Sequence, residues 1–167
     1  MYKLYIKTNI ESKKLIEQVL KDNNISNYII IYNEYGKPYL KNINKYFNVS
    51  NTKNISVCVF SDKEIGVDIE YLRYNELVMK RMFNEKEINL IKKSKNKKEM
   101  FTIIWTIKES YSKLIGLGLN YNYKKIDTFN IKNKINIKKY QNYIVTIIEE
   151  WRLWISCIVE IKILLMV

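Results

Sequence analysis

The chain has 167 residues, 47% hydrophobic and 28% charged, which suits one sizeable domain or two packed lobes and excludes an intrinsically disordered chain. It contains no His, which removes His from any catalytic or metal role, so acid/base work falls to carboxylates, Lys or Tyr. The formal net charge of +12 has two compatible sources: an AT-rich coding bias towards Lys, Asn, Ile and Tyr, and an acidic partner such as nucleic acid, an anionic cofactor or an acidic protein.

Residues 1–7 alternate and predict a first strand, without the long apolar core of a signal peptide. Ile10, Leu15, Ile16, Val19 and Leu20 recur at helical spacing. Y-G-K-P-Y at 35–39 is a turn signal with the only Pro, and 47–49 is a short apolar segment. Residues 55–60 and 65–71 read as strands, and the S-D-K-E turn between them predicts a β-hairpin. Asn84, with Glu87 three residues on, predicts a capped helix to about Ile91. K-K-S-K-N-K-K at 92–98 reads as a solvated loop. A long helix is expected over 98–115, stopped by Gly116. Beyond Tyr121, short runs of Ile, Tyr and Val predict strands. Residues 151–167 are apolar but carry Arg152, Glu160 and Lys162, so they predict a terminal strand rather than a membrane span. Cys58 and Cys157 sit in apolar stretches, as buried thiols of a reducing cytosol would.

The chemistry concentrates in two of these elements. On strand 65–71, Ile65, Val67 and Ile69 face one way; Gly66, Asp68 and Glu70 face the other. Neighbouring carboxylates repel unless a cation sits between them, and Gly66 leaves room there for a ligand. The alternative is the plain polar face of a half-buried hairpin. On the long helix, Met100, Ile103, Ile104, Ile107, Tyr111, Leu114 and Ile115 form one apolar face. Glu109 lies opposite, flanked one turn away by Trp105 and Lys113. A Trp there suggests that this face too is covered, by a lobe or a ligand; the alternative is an ordinary Glu–Lys surface pair. Together Asp68, Glu70 and Glu109 offer three oxygen ligands to a hard cation such as Mg²⁺. Lys113 would neutralise a phosphate beside it or protonate a leaving oxygen.

G-V-D-I-E at 66–70, followed by W-T-I-K-E-S-Y-S-K at 105–113, resembles the paired signature of the 4′-phosphopantetheinyl transferases. F-N-E-K-E at 83–87, G-L-G-L at 116–119, Y-G-K-P-Y at 35–39 and F-N-V-S-N at 47–51 extend the resemblance over 35–119. With 67 residues ahead of Asp68, the chain is most similar to the Sfp-like (surfactin-synthetase-activating) branch. The resemblance implies an α+β fold of two pseudo-symmetric lobes, each a small antiparallel sheet packed on a long helix. Residues 1–62 would form an N-terminal lobe with coenzyme A contacts, and 63–167 a C-terminal lobe carrying the acidic triad, with the site in the cleft between.

The implied reaction moves the 4′-phosphopantetheine arm of coenzyme A to a Ser of an apo acyl or peptidyl carrier protein, releasing 3′,5′-ADP. By resemblance, Asp68, Glu70 and Glu109 hold Mg²⁺. Glu109 takes the Ser proton and Lys113 stabilises the pyrophosphate. Lys37, Ser50, Asn51, Lys108 and Lys113 contact coenzyme A, with Lys108 and Trp105 also lining the site. Carrier proteins of this kind are acidic, which suits the positive chain. The expected protein is a cytoplasmic monomer that binds neither nucleic acid nor membrane. Two departures stand out: Asn51 replaces the family's His, and the first lobe is short. Both imply weaker coenzyme A binding. A Mg²⁺-dependent nuclease or phosphodiesterase, and a degenerate non-catalytic binding module, are the competing readings.

Overall fold

Apolar-rich strands build two three-stranded antiparallel sheets, each packed on a helix. The structure is a computed structural model that describes residues 1–118 and 122–150. The predicted strand over 151–167, with Cys157, lies outside the described residues. Strands β1 (Tyr2–Thr8), β4 (Tyr46–Thr52) and β5 (Ile55–Ser61) form the first sheet in the order β1-β5-β4, with helix α1 (Ser12–Asp22) between β1 and β4 in the chain. Strands β6 (Ile65–Tyr71), β7 (Lys134–Tyr140) and β8 (Tyr143–Glu149) form the second in the order β6-β8-β7, with helix α4 (Lys97–Ile115) between β6 and β7. The fold is α+β, and its two units repeat one topology: strand, helix, hairpin, with the last strand in the middle of the sheet. A small two-stranded sheet, β2 (Ile30–Tyr32) with β3 (Pro38–Leu40), is inserted in the first unit. Helices α2 (Glu76–Met82) and α3 (Glu85–Lys93) are inserted in the second.

The predicted hairpin between 55–60 and 65–71 does not form. Both segments are strands, but β5 pairs with β1 and β4, and β6 pairs with β8. All seven β5 residues are buried and both its edges are taken, so the link after Ser61 carries the chain to the other sheet. A turn signal specifies a reversal; it does not specify the partner. Ile65, Val67 and Ile69 do share one face, packed with Ile55, Val57 and Val59 of β5 and with Val145 and Ile147 of β8.

Gly66 faces α4, and here a second expectation changes. A Cβ at Gly66 would lie 2.1 Å from the Ser110 carbonyl oxygen and 2.7 Å from the Leu114 nitrogen. The room that glycine leaves is filled by the helix backbone, not by a ligand. α4 approaches this closely through a stripe of small polar residues at every fourth position, Thr102, Thr106 and Ser110, all buried. Thr106 Oγ1 lies 2.7 Å from Thr146 Oγ1, and Ser110 Oγ donates to the Thr146 carbonyl at 2.8 Å. The predicted apolar face is buried through Ile104, Ile107 and Leu114, but burial extends beyond it to Phe101 and Trp105, and Ile115 is exposed. α4 ends at Gly116, in the left-handed region at φ +73°. α3 opens with the expected capping box between Asn84 and Glu87. α2 is an addition to the predicted elements, opened by Asn75, whose side chain accepts from the Val78 N–H at 3.0 Å.

Candidate active site

The site lies where β4 meets β6. Here the edges of the two sheets are joined by side chains: Asn48 Oδ1 accepts from the Val67 N–H at 2.9 Å, and Ser50 Oγ from the Ile69 N–H at 3.4 Å. Side-chain oxygens two residues apart thus stand in for a ladder of carbonyls. A cavity of about 450 Å³ opens beside this seam, lined by Val49, Ser50, Asn51, Asp68, Glu70, Glu109, Ser112, Lys113 and Gly118.

Asp68 is its best-anchored acid. Its Oδ1 accepts from Ser50 Oγ at 2.7 Å and from Lys113 Nζ at 2.7 Å, and Lys113 also donates to Ser50 at 2.8 Å. Its Oδ2 is buried with no partner. Glu70 is held on one oxygen: Oε1 accepts from Trp105 Nε1 at 3.1 Å and from Arg73 Nη2 at 3.0 Å. Burial, followed by the charge of Asp68, pushes the Glu70 carboxyl above its ordinary pKa. The same two causes act more strongly on Glu109 and raise it to about 7, against the opposing charge of Lys113. Trp105, on the helix face read as polar, is covered as that reading suggested. It stacks between Phe83 and Tyr123, with centroids 6.3 Å and 5.7 Å away.

Two predicted coenzyme A contacts are not brought to the cavity. Lys37 is buried and donates to Glu64 and to the Leu114 carbonyl, each at 2.7 Å, tying the turn before β3 to the end of α4. Lys108 is wholly buried and pairs with Glu87 at 2.9 Å. It donates to the Tyr123 carbonyl at 2.8 Å and also to that of Ile126. Sequence reasoning passed over Tyr123, buried close to Glu109; no motif and no periodicity marks it.

As they stand, no three His, Cys, Asp or Glu side chains among the described residues are close enough to hold a metal ion. The donor set nevertheless suits a hard cation. An orphaned carboxylate oxygen and two acids raised by burial and then by the Asp68 charge would all be relieved by positive charge in the cavity.

A family model described as the 4′-phosphopantetheinyl transferase superfamily matches residues 64–156. The chain is 38% identical over 112 residues to the 4′-phosphopantetheinyl transferase gsp of Aneurinibacillus migulanus, covering 64% of this chain and 46% of that one. It is 33% identical over 103 residues to the 4′-phosphopantetheinyl transferase Sfp of Bacillus subtilis, covering 59% and 45%. Against the L-aminoadipate-semialdehyde dehydrogenase-phosphopantetheinyl transferase of Saccharomyces cerevisiae, identity is 35% over 107 residues, covering 56% and 39%. The match thus takes in less than half the length of each relative. Among solved structures, the holo-[acyl-carrier-protein] synthase of Thermotoga maritima aligns with 51% of this chain and 61% of its own, at a TM-score of 0.45 and 17% identity. With its family match covering more than half of its residues, the chain belongs to the 4′-phosphopantetheinyl transferase superfamily.

Proposed function

We propose that this chain transfers the 4′-phosphopantetheine arm of coenzyme A to a Ser hydroxyl of an acidic apo carrier protein, releasing 3′,5′-ADP, with Mg²⁺ required. The observation that carries the reading is the gathering of Asp68, Glu109, Lys113 and Ser50 around one cavity. A carboxyl near 7 is divided between its two forms at neutral pH, which suits a group that takes a hydroxyl proton. In the proposed step the Ser proton passes to Glu109 as the Ser oxygen bonds the phosphorus, and the bond to the 3′,5′-ADP oxygen breaks. Lys113 holds its ammonium where the pyrophosphate charge would grow. Asp68, through its free Oδ2, Glu70 and Glu109 would hold Mg²⁺. When bound, the ion would neutralise pyrophosphate oxygens and lower the charge repulsion between the acids.

Coenzyme A would enter beside Ser50 and Asn51. Lys37 and Lys108 would brace the walls from behind rather than touch it. The net charge of +12 would draw an acidic carrier in. We also propose two lobes, 1–62 and 63–167, in a cytoplasmic monomer, the repeated topology supplying within one chain what a dimer would otherwise pair. Among the described residues no helix is long and apolar enough to cross a membrane.

The test is chromatographic detection of 3′,5′-ADP from coenzyme A and an apo carrier. Release by the wild type and its loss in Asp68→Ala, with the melting curve intact, is expected. Undiminished release by the variant would refute the assignment of the site.

A further inference from the structure

Tyr123 lies outside every sequence motif, yet its surroundings are unusually well braced. It is 2% exposed, and its ring stacks on Trp105 at an interplanar angle of 20°. Its carbonyl accepts from Lys108 at 2.8 Å. Lys108 is balanced by Glu87 with both side chains fully buried, and Glu87 is fixed in turn by the Asn84 N–H at 2.9 Å and the Thr128 hydroxyl at 3.0 Å. All this holds in place a phenol whose hydroxyl is buried without a hydrogen-bond partner, the only hydroxyl among the described residues in that state. Buried hydroxyls are rarely left unpaired, because nothing replaces the water they lose.

The neighbourhood says which acceptor it serves. Glu109, Asp68 and Ser112 all act on its ionisation, with burial and the Glu109 charge raising its pKa. Lys113 gives two of its three protons to Asp68 and Ser50, the Trp105 N–H goes to Glu70, and the Ser112 hydroxyl to the Gly118 carbonyl at 2.8 Å. Beside Glu109, Tyr123 carries the one hydroxyl with no acceptor among the described residues.

We propose that Tyr123 is a positioning residue for Glu109: its hydroxyl donates to one oxygen of the Glu109 carboxylate and turns the other towards the cavity. The inference rests on the transfer reading above for its consequence in catalysis. No bond to Tyr123 forms or breaks. The phenol keeps its proton throughout, while Glu109 receives that of the incoming Ser. The buried Lys108–Glu87 pair acts one step further back, by fixing the main chain from which the phenol projects.

Tyr123→Phe keeps the ring and removes only the hydroxyl. The proposal predicts that kcat falls about tenfold with the KM for coenzyme A unchanged, the signature of a proton acceptor held less well. It also predicts a double-mutant coupling in metal-free buffer at pH 8. Tyr123→Phe should lower the Tm by about 4 °C in the wild type, as for loss of a bond to a charged group. In a Glu109→Leu background, which offers no acceptor, the same change should no longer lower the Tm. An unchanged kcat, a raised KM with kcat intact, or equal Tm changes in the two backgrounds would each overturn the proposal. Should the wild type modify no carrier protein, the transfer reading fails, and the Tm cycle still decides the contact between Tyr123 and Glu109.

Discussion

Glu109 shows how much one position owes to its surroundings. The sequence places it one helical turn from Trp105 and Lys113, but its pKa near 7 comes from burial and from Asp68 on another element. As the proposed base, it must be ionised to act. At limiting Mg²⁺ the kcat/KM for transfer should therefore rise with pH to about 7 and then level off, saturating Mg²⁺ should move that limb to lower pH, and Glu109→Gln should lower kcat at least about a hundredfold and abolish the limb. A pH-independent rate from pH 5 to 8 would point to another base. Lys37 carries a different lesson. Expected as a phosphate contact, it is buried here against Glu64 and the Leu114 carbonyl, and we propose that it braces the cavity wall. Lys37→Met should lower stability by roughly 2 kcal/mol, seen as a lower urea midpoint, and leave the KM for coenzyme A within about twofold. Spacing within one element brought Asp68 and Glu70, or Trp105, Glu109 and Lys113, into view. It does not say which lysines are buried, because burial of a long side chain is decided by other elements.

At the level of elements, strands and helices were largely legible where periodicity is strong and caps are explicit, as at Asn84 and Gly116. Pairing was not. The segments that became β5 and β6 carry the residues of a hairpin, but each is claimed by a different sheet. The Thr102, Thr106 and Ser110 stripe carries no apolar signal in the sequence, yet here it is buried and lets α4 settle on β6 and β8. Gly66 completes that contact. Gly66→Ala would drive a methyl into the α4 backbone, so it should destabilise by about 3 kcal/mol or more in urea denaturation. A near-neutral result would mean that α4 moves aside at little cost.

For the molecule as a whole, the acidic cavity sets a dependence on pH and metal. Glu109 titrates near 7 when folded and near its ordinary 4.5 when unfolded, so the folded state holds its proton more tightly. That contribution is complete below the unfolded value and is lost as pH rises through 7, a change on the order of 3 kcal/mol. In metal-free buffer the urea midpoint should fall between pH 5 and pH 8, and Glu109→Gln should flatten the fall. Mg²⁺ at pH 8 should restore part of it, since a cation removes the repulsion that the acids share. The repeated strand–helix–hairpin plan places this cavity at the seam of the two units, where one supplies Ser50 and Asn51 and the other supplies Asp68, Glu70, Glu109 and Lys113.

The most direct test of that account is the intact mass of an acidic apo carrier protein after incubation with coenzyme A and this chain, with and without Mg²⁺. A gain of about 340 Da, the mass of one phosphopantetheine group, seen only with Mg²⁺ and absent with Glu109→Gln, is the predicted result. A carrier whose mass stays the same, or a gain that persists in the Glu109→Gln variant, would contradict it.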